Sequence, residues 1–355
     1  MMTNGAHIVL NVLAEQNTDT VFCYPGGAVI ELFDALYDHK DTIKQIVTSH
    51  EQGAAHAADG YARSTGKVGV CLATSGPGAT NLVTGIATAY MDSIPMVAFT
   101  GNVATSGLGK DSFQEVYIAG ITMPITKHNF VVDRVEDLAD VMRQAFEIAQ
   151  SGRKGPVLVD IPKDVSAAVC EFIPAEKVCD TYETVIDEAA ILRVAELINA
   201  AERPVVYYGG GVVASEAGEE LRELLHKAEI PATYTIMAAG ALGYGEPLNL
   251  GMVGMHGLKT TNLAVDQADL VLAIGTRFSD RVALNPGKFA KKAKIVHIDI
   301  DQSEVNKNVR VDESLIGQVK DILTALLPKV KENRHPAWME QIAAWKAEDY
   351  IPEDS

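Results

Sequence analysis

The residues with the clearest chemical potential lie in one run, Ser49-His50-Glu51-Gln52-Gly53-Ala54-Ala55-His56-Ala57-Ala58-Asp59-Gly60-Tyr61-Ala62-Arg63. Glu51 follows an apolar, strand-like stretch and begins a stretch rich in Ala and Gly. Small residues let a helix pack closely on its neighbours, so this carboxyl is expected to be partly buried. A carboxyl in that setting can share a proton with a ring nitrogen. The alternative is an acidic residue that merely favours a helix N-terminus.

Four further segments combine glycine, proline and polar residues near the ends of predicted strands. They are Tyr24-Pro25-Gly26-Gly27, Thr74-Ser75-Gly76-Pro77-Gly78-Ala79-Thr80-Asn81, Phe113-Gln114-Glu115 with residues 121–127, and residues 153–164. Each is weak alone, because turns of this kind have many uses. Their positions nevertheless agree with the carboxyl ends of parallel strands, where α/β sheets place their ligand sites.

The elements that must position these residues alternate along the chain. Apolar runs predict strands at 19–23, 44–47, 68–73, 96–100 and 157–161, and amphipathic stretches predict helices at 28–37, 52–64, 79–90 and 135–151. A second series follows, with a helix at 191–201 and strands at 204–208, 232–235, 270–274 and 294–300. Alternating strands and helices predict parallel sheets covered on both faces. The fold class is therefore α/β, with two doubly wound parallel-sheet domains.

These patterns divide the chain into four parts. We expect a first domain at 1–165, a linker at 166–188, a second domain at 189–330 and a tail at 331–355. The tail carries Trp338 and Trp345 on a helical pattern and ends in a polar Ile-Pro-Glu-Asp-Ser, which resembles an interdomain connection.

Composition excludes several classes of partner. The formal net charge of -17 argues against nucleic acid and against an anionic membrane surface. No run approaches the ~20 apolar residues of a membrane span, and the first residues lack a signal-peptide pattern, so the chain is expected to be cytoplasmic. Cys23 and Cys71 are predicted to be buried thiols, whereas Cys170 and Cys179 lie in the linker. We predict no metal ligand, because the spacing of His50, His56 and His256 matches no zinc pattern.

Taken together and in this order, the segments resemble the large subunit of acetolactate synthase (acetohydroxyacid synthase), a thiamine-diphosphate enzyme, over residues 5–350. The resemblance implies that the first domain binds the cofactor's aminopyrimidine. The Glu51 carboxyl would favour the imino tautomer, whose exocyclic nitrogen takes the proton from the thiazolium carbon. The resemblance places Tyr24, Pro25, Gly26, Thr74, Pro77, Asn81 and Gln114 around that ring. It places Gly27, Phe113, Gln114 and Lys163 towards the reacting keto acid.

The second domain carries a glycine run with two interpretations. Gly209-Gly210-Gly211-Val212-Val213-Ala214 satisfies the dinucleotide fingerprint, which suggests NAD, although no acidic residue stands convincingly after the next strand. The resemblance instead implies a Rossmann-like FAD-binding central domain, with a flavin of structural role. Its cofactor-binding residues would be Arg153, Gly209, Gly210, Gly211, Met255, His256, Gly257, Gly275, Arg277 and Asp299.

Arg281 is implied to favour the carboxylate of the second keto acid. The alternative is an ion pair with Asp280 or another carboxylate of the same loop. The family usually has Arg-Phe-Asp-Asp-Arg here, whereas this chain has Ser279 in the middle, so the loop or the flavin is expected to be held differently.

The resemblance also implies what this stretch lacks. Mg²⁺ would be held through a Gly-Asp-Gly motif, which occurs nowhere in the 355 residues, so its ligands are expected in an absent domain. The chain alone would then be inactive. The complete enzyme would convert pyruvate and 2-oxobutanoate as a homodimer or larger assembly with a regulatory small subunit. Two alternatives stay open: another thiamine-diphosphate decarboxylase, and a non-catalytic module that binds FAD and partner subunits.

Overall fold

The computed structural model describes residues 1–177, 182–243 and 245–349. The chain forms two compact units, Met1–Tyr182 and Glu183–Ser355. Cys179 and the Ile-Pro-Glu-Asp-Ser tail lie outside the described residues.

The first unit is built on a six-stranded parallel sheet. Its elements are β1 (Met2–Asn4), α1 (Gly5–Glu15), β2 (Thr20–Cys23), α2 (Ile30–Asp38), β3 (Lys44–Val47), α3 (Glu51–Thr65), β4 (Gly69–Ala73), α4 (Pro77–Asn81), α5 (Val83–Asp92), β5 (Met96–Asn102), α6 (Ile118–Thr122), β6 (His128–Val131), α7 (Val135–Gln150), β7 (Pro156–Pro162), α8 (Lys163–Ala167) and β8 (Val169–Glu171). The strand order is β3-β2-β4-β5-β7-β6, and β1 pairs separately with β8 in an antiparallel ladder. Two apolar clusters cover the two faces of the large sheet.

Small residues set the position of α3 in this unit. Ala54, Ala55 and Ala58 are completely buried. A Cβ added to Gly85 of α5 would lie 2.3 Å from the Ala55 Cβ, so the two helices pack at a distance that only glycine allows. At the start of α3, the His50 ring nitrogen Nδ1 accepts a hydrogen bond of 3.1 Å from the Gln52 amide. This side-chain cap places Glu51 at the first helical position.

The second unit repeats the architecture with its own six-stranded parallel sheet. Its elements are α9 (Glu188–Ala200), β9 (Pro204–Tyr208), α10 (Gly210–Ala214), α11 (Gly218–Ala228), β10 (Ala232–Tyr234), β11 (Asn249–Met252), α12 (Lys259–Gln267), β12 (Leu270–Ile274), β13 (Lys294–Asp299), β14 (Glu313–Ile316), α13 (Val319–Leu326) and α14 (Pro336–Lys346). The order is β11-β10-β9-β12-β13-β14. This is the doubly wound order of dinucleotide-binding folds. The predicted α/β class with two parallel-sheet domains is confirmed.

Both sheets have a point where the strand order reverses. In the first unit it lies between β2 and β4, and in the second between β9 and β12. Chain segments leaving these strands diverge there and open a crevice at the carboxyl ends of the strands. The turns at 24–27 and 74–78 lie at the first of these places, and the Gly209–Gly211 run and Gly275 lie at the second.

Two local predictions differ from the structure. The helix expected at 79–90 is divided at Leu82 into α4 and α5. The segment expected to be a linker from residue 166 contains β8, whose Glu171 pairs with Met2 and whose Cys170 is buried. Within the described residues, no helix is long and apolar enough to cross a membrane.

Candidate active site

The candidate site of the first unit centres on the Glu51 carboxyl. Glu51 is only 7% exposed, and its Oε2 accepts a hydrogen bond of 2.9 Å from the Asn81 Nδ2. Its Oε1 lies beside Gly78, where an added Cβ would come 3.4 Å from this oxygen. One carboxyl oxygen is therefore held by an amide, while the other faces a backbone that carries no side chain.

Three turns meet next to this carboxyl. The Thr74 hydroxyl oxygen, after β4, accepts a hydrogen bond of 3.1 Å from the Ala28 amide. A Cβ on Gly26, after β2, would lie 2.4 Å from the Thr74 side chain. Gly76 has φ +56°, and a Cβ there would lie 2.6 Å from the Gln114 carbonyl oxygen. The structure thus brings together residues from β2, β4 and the segment before α6.

The other predicted residues of this unit lie around the same sheet edge with more exposure. Tyr24 is half-buried, whereas Pro25, Gly27, Pro77 and Gln114 are exposed. Phe113 is 86% exposed. These residues line an open surface, so the structure leaves their assigned contacts with a ligand as predictions.

Lys163 follows β7, which is two positions from β4 in the sheet. Its side chain is exposed and makes no ion pair with any residue the structure describes. An ammonium group in that state is available to an anionic substrate.

The sequence analysis missed one buried titratable group in this unit. Asp160 of β7 is 2% exposed and accepts hydrogen bonds of 2.6 Å from the Thr100 hydroxyl and the Asn102 amide of β5. Burial raises the pKa of Asp160 to about 6, although both hydrogen bonds oppose the rise. The sequence did contain a sign of this buried carboxyl, because Asp160 interrupts the apolar run Val157-Leu158-Val159-Asp160-Ile161.

In the second unit, the glycine run lies at the reversal between β9 and β12. The Gly209 and Gly211 amides donate hydrogen bonds of 3.0 and 2.9 Å to the Ile274 and Gly275 carbonyls. A Cβ on Gly211 would lie 2.5 Å from the Gly275 Cα. The glycines are therefore explained by the close approach of this run to the backbone at the end of β12. The Gly209 and Gly211 amides already have hydrogen-bond acceptors within the protein. Their contact with a cofactor stays a prediction.

Two arginines lie in the loop that follows β12. Arg277 is half-buried and Arg281 is exposed. Neither guanidinium forms an ion pair within the described ranges, so the alternative pairing of Arg281 with Asp280 is not formed. The Arg281 backbone carbonyl accepts a hydrogen bond of 2.8 Å from the Met255 amide, which joins the two predicted cofactor segments.

Of the remaining residues predicted to bind a cofactor, some form hydrogen bonds within the protein and others are exposed to solvent. Asp299 is 8% exposed, and its Oδ1 accepts a hydrogen bond of 2.9 Å from the Asp301 amide. Arg153, in the first unit, donates from Nε to the Ser93 hydroxyl at 2.9 Å. Met255 and His256 are exposed, whereas Gly257 is partly covered. No group of three or more His, Cys, Asp or Glu among the described side chains could hold a metal ion.

Comparison with known families agrees with this architecture. Residues 3–121 match the model described as "Thiamine pyrophosphate enzyme, N-terminal TPP binding domain". Residues 191–326 match "Thiamine pyrophosphate enzyme, central domain". One match lies in each structural unit, in the order that the motifs predicted. The chain belongs to the thiamine pyrophosphate enzymes.

Within that family, the chain is similar to acetolactate synthases. It is 48% identical over 344 residues to the acetolactate synthase of Mycobacterium bovis, covering 96% of this chain and 56% of the relative. It is 45% identical over 355 residues to the acetolactate synthase large subunit of Parasynechococcus marenigrum, covering 97% of this chain and 57% of the relative. The chain thus spans little more than half the length of these relatives. The resemblance inferred from the motifs is confirmed.

Proposed function

We propose that this chain is the aminopyrimidine-activating part of an acetolactate synthase. The complete enzyme would be a transferase that decarboxylates pyruvate and joins the remaining two-carbon unit to pyruvate or 2-oxobutanoate. Both products lead to branched-chain amino acids, valine and isoleucine among them. The observation that carries the proposal is the buried Glu51 carboxyl, with one oxygen held by Asn81 and the other facing Gly78.

The residues of this chain would act by binding and by holding a proton. Thiamine diphosphate, when bound, supplies the electron-withdrawing centre that the decarboxylation needs. Glu51 would share a proton with the aminopyrimidine ring through Oε1, because Asn81 occupies Oε2. Gly78 leaves the approach to Oε1 open. Lys163 and Arg281 would offer positive charge to the keto acid carboxylates.

FAD would bind to the second unit. The doubly wound strand order and the family match support this proposal, since such sheets bind nucleotide cofactors at the reversal of strand order. Arg277 supplies a guanidinium that can pair with a diphosphate. The Met255-His256-Gly257 turn, in which Met255 and His256 are exposed, lies beside Arg281, and Gly275, with φ +56°, begins the turn that leads to Arg277.

The flavin can be tested on the chain as it stands. We expect FAD to bind, with a shifted flavin absorbance spectrum, and Arg277→Ala to weaken that binding about tenfold or more. Lys288→Ala removes a cation elsewhere in the same unit and serves as the control. A folded chain that leaves the flavin spectrum unchanged at high FAD concentration would contradict the flavin proposal.

The remaining parts of the proposal concern the complete assembly. Mg²⁺ would be held by ligands outside these 355 residues. The assembly would be a homodimer or larger, would include a regulatory small subunit, and would act in the cytoplasm without nucleic acid or membrane.

The proposed reaction is tested by its product. We expect the holoenzyme, supplied with pyruvate, thiamine diphosphate and Mg²⁺, to form acetolactate. If acetaldehyde were the main product instead, the enzyme would be a decarboxylase and the proposed carboligation would be wrong.

A further inference from the structure

The segment from residue 103 to 117 presents Phe113 and Gln114 and touches a hydrophobic core cluster through the partly buried Val116. None of these fifteen residues is buried. Three residues within six positions have positive φ: Gly109 at 70°, Asp111 at 52° and Gln114 at 57°. Positive φ is unfavourable for the two non-glycine residues, so their conformation needs another source of order.

Hydrogen bonds to the Glu115 carboxylate supply that order. Its Oε1 accepts from the Gly109 amide, and its Oε2 accepts from the Lys110 and Ser112 amides at 3.3 and 3.2 Å. The Ser112 hydroxyl also donates to the Gly107 carbonyl at 2.7 Å. The three amide donors, led by Gly109, hold the pKa of Glu115 below its usual range, so the group stays ionised at neutral pH. A carboxylate bound by several amides is a strong local clamp.

The clamp lies directly beside the candidate site. Gln114 is the residue before Glu115, and its carbonyl faces Gly76 so closely that a Cβ there would lie 2.6 Å away. Gly76 begins the turn that leads through Gly78 to Asn81, which holds Glu51. At its other end the segment is fastened by Asp164, which accepts from the Thr105 amide at 3.0 Å and from the Thr105 hydroxyl at 2.6 Å.

We propose that Glu115 is a positioning residue for the keto acid, because its carboxylate fixes the turn that places Phe113 and Gln114 beside Gly76. Glu115 itself does not touch the substrate. The proposal rests on the proposed function, since it needs Phe113 and Gln114 to face the reacting keto acid.

Glu115→Gln in the holoenzyme tests this directly. The glutamine keeps the size of the side chain but turns an NH₂ group towards amide donors, so the turn should loosen. Trypsin cleavage after Lys110 should become faster, and kcat/KM for pyruvate should fall about 10- to 100-fold, because small misplacement of a positioning group has effects of that size. The thermal midpoint should stay unchanged, because the segment contributes no buried side chain. Ser106→Ala changes an exposed residue of the same segment whose side chain makes no hydrogen bond among the described residues and which lies away from the Lys110–Asp111 bond, and it should leave both readouts unchanged.

The two readouts separate the possible failures. If cleavage after Lys110 is not accelerated, the clamp is wrong. If cleavage is accelerated while kcat/KM stays at the wild-type value, Glu115 orders the segment but does not position the substrate, and the proposal is overturned. If the unaltered holoenzyme forms no acetolactate, the proposed function fails and the positioning role fails with it, whatever the cleavage shows.

Discussion

At the scale of single residues, the site depends on how one carboxyl group is held. The sequence identified Glu51 and Asn81 separately, from the run that begins a helix and from a glycine-rich turn. It could not show that the Asn81 amide bonds the Glu51 carboxyl, because the two residues are far apart in sequence and meet only through the reversal of the sheet.

Replacing Asn81 with alanine should impair cofactor activation without removing the carboxyl. Glu51 would lose the donor that fixes its orientation, and a hydrogen bond to a charged group contributes about 1.5–3 kcal/mol. We therefore expect exchange of the C2 proton of bound thiamine diphosphate to slow about 10- to 100-fold, measured by NMR after acid quench. Thr80→Ala is the neighbouring control. An Asn81→Ala enzyme with wild-type exchange would show that the hydrogen bond has no role in activation.

Replacing Arg281 with alanine should affect the second keto acid more than the first. The exposed guanidinium has no ion pair within the described part of the chain, so its charge is available to a carboxylate. We expect KM for the acceptor keto acid to rise about tenfold or more, with a smaller change for the donor. Arg281→Lys keeps the positive charge, so its KM for the acceptor keto acid should rise less than that of Arg281→Ala. Equal effects on donor and acceptor, measured by product ratios in pyruvate and 2-oxobutanoate mixtures, would exclude this role.

At the scale of elements, the buried strands were easier to predict than most of the edge strands. The fully buried strands at 204–208 and 270–274 have the predicted bounds, and the partly exposed edge strand at 44–47 is an exception that was predicted as well. Among the strands that the sequence analysis missed, β6, β11 and β14 lie at the edges of the two large sheets and read His-Asn-Phe-Val, Asn-Leu-Gly-Met and Glu-Ser-Leu-Ile. Edge strands are short and partly exposed, so they lack the continuous apolar run by which a central strand is recognised.

The hydrogen bonds between β5 and β7 predict a specific dependence of stability on pH. Because the pKa of Asp160 is raised to about 6, the folded state favours the protonated carboxyl. Its contribution is fully present below about pH 4 and is lost as the pH rises through 6. Asp160→Asn should therefore be more stable than the wild type at pH 7, by up to about 3 kcal/mol, with the difference shrinking towards pH 4.

Urea unfolding of the chain at several pH values measures this difference. Asp133→Asn removes an exposed carboxylate near the same sheet, and its free energy of unfolding plotted against pH should run parallel to that of the wild type. If the plot for Asp160→Asn also ran parallel to the wild type, the Asp160 carboxyl would not titrate as its burial requires.

Helix α14 should stabilise the second unit through one tryptophan. Trp338 is 3% exposed, and its Nε1 donates to the Pro204 carbonyl at 3.1 Å, whereas Trp345 packs edge-on against it and is half-buried. Trp338→Ala should lower the free energy of unfolding of this unit by about 3–5 kcal/mol. Trp345→Ala, the matched control, should lower the free energy of unfolding by a smaller amount. Equal losses in urea unfolding would mean that the helix is not anchored at Trp338.

At the scale of the whole molecule, topology accounts for what the sequence could and could not predict. Alternating elements were sufficient to predict two parallel sheets, and the order of the motifs was sufficient to predict the family. The Gly209–Gly211 run shows the limit, because its spacing could not show that the Gly209 and Gly211 amides donate to the Ile274 and Gly275 carbonyls at the end of β12. This contact depends on the strand order, which places β9 beside β12 and is seen only in the folded structure.

The central claim is that Glu51 activates the cofactor, and C2 proton exchange of thiamine diphosphate tests it most directly. In the holoenzyme, Glu51→Gln should slow this exchange about 100-fold or more, because the amide cannot share a proton with the ring as the carboxyl does. Cofactor binding, measured separately, should be retained. Exchange at the wild-type rate in a Glu51→Gln enzyme with bound cofactor would contradict the account.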